Sequence, residues 1–192
     1  MSNIYDLHRT DGDPSRVVTM LPDVAYTALA PLLHHSRAAL LELGWTVRVV
    51  EWSGTPDLDG ARIAAAELLE GSDGPGDGVT HLVVGKSLGT LAIPAAARLG
   101  LPGIWLTPLL TWDDAADIRE AVAGLEGDHL LIGGSADPTW DHDLVASLRA
   151  DFVEVPGGDH RLEIPDDWRK NLETVEDLTA EIEHFASSFD VR

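Results

Sequence analysis

The chain has 192 residues, 44 % of them hydrophobic, which suffices for one sizeable core and is short for two. With 13 basic and 33 acidic residues it carries a net charge of −20, a surface that repels nucleic acid and anionic membranes and is expected to serve solubility. It has no cysteine, so disulfides, thiolate metal sites and a cysteine nucleophile are excluded together.

In chain order, residues 1–10 are charged and lack the apolar region of a secretory signal, and no apolar run approaches the ~18 residues of a membrane span. A cytoplasmic location is therefore expected. Residues 1–15, polar and containing Asp11-Gly12-Asp13-Pro14, read as a loose arm preceding one domain over 16–192. Val17 to Leu21 is a first strand. Pro31 suits the first position of a helix that runs to about Leu43 and ends at Gly44. Trp45 to Glu51 is a strand, and Asp59 is placed to cap a helix through Leu69. The Gly-, Asp-, Ser- and Pro-rich stretch 71–78 reads as a surface loop. The strand His81-Leu82-Val83-Val84 runs into Gly85, and a helix is expected from Ser87 to Leu99, with Pro94 kinking or shortening it.

The alternation continues. Gly103 to Thr107 is a strand, and Asp113 caps a helix to about Leu125. His129 to Gly133 is a strand, Trp140 to Arg149 a helix and Asp151 to Val155 a strand. In the last helix Leu172, Val175, Leu178, Ile182, Phe185 and Phe189 recur at three- and four-residue steps. Several strands are apolar throughout, as when both sheet faces are covered. The fold expected is α/β: a three-layer sandwich with a six-stranded, mostly parallel sheet and helices on both faces.

Ligands of such sheets sit beyond the carboxyl ends of the strands. There, between a strand and a helix, stands Gly85-Lys86-Ser87-Leu88-Gly89, a G-x-S-x-G match. A sharp turn at this point would expose the Ser87 hydroxyl, with glycines on either side preventing clashes and the Leu88 amide free to donate to a developing oxyanion. A serine nucleophile needs a base, and the base an orienting acid. Asp137 follows the fifth strand and His160 the sixth, giving the order Ser87, Asp137, His160. Asp141 and Asp159 are rival acids, and His142 is a rival base. Lys86 is expected to enter the flank of the sheet and pair with a local acid; the competing reading sets its ammonium against anionic substrate or a partner carboxylate. His34-His35 reads as a helix-surface pair, and no spacing suggests metal. Trp105, Leu109, Leu110 and Trp112 fit three roles equally: the wall of an apolar acyl pocket, core, or a patch used by a homodimer.

The VVTMLP strand, the HLVVGKSLGT turn, the LIGGSADPTWD acid turn and the GGDHRLE histidine turn together resemble a compact α/β-hydrolase of the small dienelactone-hydrolase-like and serine-esterase-like group, over roughly Val17 to Phe189. Two leading strands of that family are expected to be absent. The short interval Thr107 to Trp112 leaves no room for a lid. The resemblance implies cleavage of an ester, thioester or amide of a small molecule through an acyl-enzyme, without a cofactor. It also implies a second oxyanion donor after the first strand, by position the Val24 N–H, with Tyr26, Leu109 and Trp112 near the substrate. Where the family commonly has His-Gly, this chain has Pro22-Asp23. That substitution keeps a second reading open, a binding protein on a hydrolase fold with weak or lost catalysis.

Overall fold

The computed structural model describes residues 4–70, 74, 76, 78–125 and 127–189. Among the described residues the sheet has seven strands rather than six: β1 (Tyr5–Thr10), β2 (Asp13–Leu21), β3 (Trp45–Trp52), β4 (Thr80–Lys86), β5 (Gly103–Leu106), β6 (His129–Gly134) and β7 (Asp151–Val155). Their order is β1-β3-β2-β4-β5-β6-β7, parallel except for β1. The expected α/β sandwich is thus present with one strand more. That strand corrects the reading of residues 1–15 as a loose arm. Residues 5–10 pair antiparallel with β3, and β2 begins at Asp13. The correction has a simple cause. An edge strand with one solvent face carries polar residues, here Asp6, His8 and Arg9, so its composition resembles that of a loop.

Among the described residues, six helices cover the sheet: α1 (Pro31–Glu42), α2 (Leu58–Glu70), α3 (Ile93–Leu99), α4 (Ala116–Ala123), α5 (His142–Ala146) and α6 (Trp168–Ser187). One apolar layer joins α1 and α6 to Val18, Met20, Val47, Leu82, Ile104 and Ile132; the other joins α2, α3 and α4 to Val83, Trp105 and Leu131. Pro31 opens α1, and Gly44, at φ +85°, follows it. Other boundaries differ from expectation for local reasons. Asp57, not Asp59, accepts the Gly60 N–H at 2.7 Å and caps α2. The expected helix from Ser87 to Leu99 is a 3₁₀ stretch over Ser87–Ala92 followed by α3, so Pro94 falls in a first turn, where its missing N–H leaves no bond unmade. Trp112 precedes a 3₁₀ turn at Asp113–Ala115 that leads into α4, and Asp113 makes no side-chain cap. The helix expected over Trp140 to Arg149 is only α5. Leu172, placed in the core by its spacing, is 61 % exposed. The expected loop 71–78 lies largely outside the described residues.

Register aligns the chemistry. Leu21 is opposite Gly85, Lys86 opposite Leu106, Leu106 opposite Ile132 and Gly134 opposite Val155. The turns after β4, β5, β6 and β7 therefore emerge at one level. The glycines flanking Ser87 are steric necessities. A Cβ on Gly89 would lie 1.8 Å from the Leu21 carbonyl oxygen, and one on Gly85 would lie 2.7 Å from the Gly89 oxygen and 3.0 Å from the Trp105 ring. Gly89→Ala is expected to destabilise the protein by about 3 kcal/mol through overpacking against rigid backbone. Gly124→Ala, exposed and with no atom nearer than 3.7 Å, should change stability by no more than about 0.5 kcal/mol. Urea unfolding of the two variants checks this, and equal midpoints would contradict it.

Candidate active site

Ser87 sits at φ +51°, a left-handed conformation that side chains rarely adopt and that the close packing of Gly85 and Gly89 enforces. The turn lifts the serine off the end of β4 and points its hydroxyl at the loop after β7. There His160 Nε2 lies 2.8 Å from Ser87 Oγ. His160 Nδ1 lies 2.9 Å from Asp137 Oδ2, in the turn after β6. With Nδ1 protonated, the imidazole donates to Asp137 while Nε2 accepts from the Ser87 hydroxyl. The three residues singled out in the sequence thus form one hydrogen-bonded chain.

Asp137 is buried. Burial pushes its pKa up, but the His160 and Thr139 hydrogen bonds outweigh this and hold it below the usual carboxylate range. Oδ1 accepts from both the backbone N–H and the hydroxyl of Thr139, each at 2.8 Å, and Thr139 Oγ1 also lies 3.2 Å from His160 Nδ1. The carboxylate is therefore fixed at both oxygens. Thr139 escaped sequence reasoning, although a threonine two residues after a turn aspartate is a usual Asx-turn partner.

The rival residues have other employment. Asp141 accepts the Leu144 N–H at 2.9 Å as the cap of α5 and pairs with Arg119. Asp159 accepts the N–H groups of Arg161 and Glu163, at 2.8 and 3.0 Å, which shapes the loop around His160. His142 pairs with Glu154 at 2.7 Å. His34 and His35 are exposed on α1, and among the described residues no group of His, Asp or Glu is arranged to hold a metal.

Leu88 follows the serine at the start of the 3₁₀ stretch, where backbone N–H groups lack intrahelical partners. Val24 stands beyond β2, the neighbour of β4, and lines a groove of about 680 Å³ with Pro22, Asp23, Leu29, Arg37 and Trp52. Tyr26 differs from expectation. It is buried, its hydroxyl accepts the Leu32 N–H at 3.4 Å, and its ring lies between Lys86 and Arg161, each 5.3 Å from the ring centre. Leu109 is core, packed with Leu110 and Trp105, and Trp112 is 49 % exposed, so neither lines the groove. Side-chain hydrophobicity alone cannot separate these outcomes.

Lys86 also departs from expectation. It enters the sheet's flank, but among the described residues it forms no ion pair with an acid. Its Nζ donates to Thr107 Oγ1 at 2.5 Å and to the His160 carbonyl at 2.7 Å. Burial pushes its pKa down to about 8, against the opposing pull of Asp23 and Asp137.

Among sequences, no protein-family model and no curated protein matches the chain. Solved structures do. Est1E from Butyrivibrio proteoclasticus, with ferulic acid bound, superposes with a TM-score of 0.73 at 14 % identity, over 98 % of this chain and 96 % of that one. A lidless α/β serine hydrolase from Xanthomonas campestris gives 0.64 at 18 % identity, over 96 % and 89 %. A dienelactone hydrolase from Anabaena variabilis gives 0.67 at 15 % identity, over 94 % and 90 %. The β1-to-β7 sheet with its helices is the α/β-hydrolase fold.

Proposed function

We propose that the protein is a serine hydrolase that cleaves an ester, thioester or amide of a small molecule through an acyl-enzyme. One observation carries the reading: the unbroken chain Ser87 Oγ to His160 Nε2 at 2.8 Å and His160 Nδ1 to Asp137 Oδ2 at 2.9 Å, built on a left-handed serine. His160 takes the hydroxyl proton as Ser87 attacks the acyl carbon, and Asp137 stabilises the imidazolium that results. The Leu88 and Val24 N–H groups receive the oxyanion. His160 then gives its proton to the leaving group, and a water repeats the sequence to release the acid.

Two experiments test this. Wild-type protein should react with a fluorophosphonate at Ser87 and turn over short p-nitrophenyl esters, and Ser87→Ala should lower turnover at least ~10³-fold. Equal turnover by wild type and Ser87→Ala would overturn the reading; no turnover at all, with ligand binding intact in both proteins, would favour a binding protein on the same fold. Asp137→Asn should cost ~10³–10⁴-fold in kcat by losing the acceptor that fixes the tautomer. It also bears on acid stability. A carboxyl whose folded-state pKa is depressed contributes stability above its unfolded pKa, near 3.9, and loses it as pH falls through the folded value. Unfolding measured from pH 7 downward should show wild type and Asp137→Asn converging at acid pH; a constant gap would contradict the Asp137 assignment.

A further inference from the structure

The buried lysine beside the serine is the feature that the triad leaves unexplained. Lys86 is 1 % exposed, deep among Tyr26, Thr107 and the His160 loop. An ammonium in such a place ordinarily faces a carboxylate; this one faces two neutral oxygens, the Thr107 hydroxyl and the His160 carbonyl, with the Tyr26 ring at 5.3 Å. As a stabilising device the arrangement is poor. A methionine of similar volume would fill the space without desolvating a charge. As a positioning device it is well built. The lysine is anchored on β4, immediately before the nucleophile. One of its hydrogen bonds reaches across 74 positions of sequence to the main chain of the base. The other holds Thr107, itself at φ +44° past β5. Nucleophile, β5 turn and base are thereby tied through one nitrogen.

Resting on the acyl-transfer reading above, we infer that Lys86 is a positioning residue that sets His160 against Ser87 by gripping the His160 carbonyl from the neighbouring strand. It touches no substrate; it acts through the imidazole's location. The charged groups around it are Asp23 after β2, Asp137 after β6, and Asp159 and Arg161 after β7, with the Tyr26 phenol between Lys86 and Arg161. Asp23, the residue that departs from the His-Gly pattern, is the leading charge favouring the ammonium.

The test uses Lys86→Met, which retains the buried volume, and Lys86→Cys. The chain contains no other cysteine, so aminoethylation of Lys86→Cys after unfolding, followed by refolding, rebuilds a lysine-like side chain at this position alone. Two readouts are taken per folded molecule: the rate of fluorophosphonate reaction at Ser87, and the low-field proton resonance of His160 Nδ1–H. Lys86→Met is expected to fold, to react ~10- to 100-fold more slowly, the penalty for an imidazole displaced by about 1 Å, and to lose or shift the His160 resonance. Ester hydrolysis should show this loss in kcat with KM unchanged. Aminoethylated Lys86→Cys should recover both rate and resonance, and unmodified Lys86→Cys neither. A Lys86→Met protein with wild-type rate and resonance overturns the inference. So does a folded, aminoethylated Lys86→Cys that remains slow. If Lys86→Met does not fold, the modified and unmodified Lys86→Cys proteins decide the matter, and absence of folding in the unmodified form alone would assign Lys86 to stability instead. Wild-type protein that fails to react at all refutes the hydrolase reading, while the His160 resonance still reports on Lys86.

Discussion

The close approach of Gly89 to the Leu21 carbonyl is the constraint on which the site rests. A hydrogen is all that fits at that point, because a methyl carbon would sit 1.8 Å from the oxygen. With the turn pressed this tightly onto the end of β2, the chain leaves β4 through a left-handed serine. Its hydroxyl then projects above the sheet instead of into it. The neighbouring strands end at matching levels, so Asp137 and His160 arrive from β6 and β7 within hydrogen-bond reach of one another and of Ser87. Similar close packing recurs under the acid turn, where a Cβ on Gly133 would meet the Trp140 ring at 2.1 Å and one on Gly134 the Gly158 oxygen at 2.1 Å.

Charge is arranged as closely as volume. Asp137 remains ionised in a buried site because three donors, two from Thr139 and one from His160, meet its two oxygens. Lys86 bears the opposite charge, with its ammonium on two neutral oxygens, the Thr107 hydroxyl and the His160 carbonyl. Together they set a negative group behind the imidazole and a positive one beneath its loop.

The amino-acid sequence made much of this legible. Val17–Leu21, His81–Val84 and His129–Gly133 are apolar runs bounded by glycine or proline, and a parallel sheet follows from them. Ser87, Asp137 and His160 each follow a strand, so the order of elements alone marks them and no distances are needed. The edge strand β1 is hard to read because only Tyr5 and Leu7 mark its inner face, while Asp6, His8 and Arg9 give it the composition of a loop. Lys86 was misassigned a carboxylate partner because its true partners lie 21 and 74 positions away, and one is a main-chain carbonyl that carries no residue-type signal. Tyr26, Leu109 and Trp112 share the composition of a pocket wall, and three-dimensional packing alone sends them to a cation clamp, the core and the surface.

In the proposed reaction Ser87 attacks an acyl carbon whose oxygen is received by the Leu88 and Val24 amides. A crystal structure of the protein after reaction with a fluorophosphonate tests it most directly, since the bound phosphonyl group stands in for the tetrahedral intermediate. Continuous density is expected from Ser87 Oγ to phosphorus, with the phosphonyl oxygen about 2.7–3.1 Å from both nitrogens. Density at another residue, or a phosphonyl oxygen turned toward the Asp23 carboxylate and away from those two amides, would contradict it.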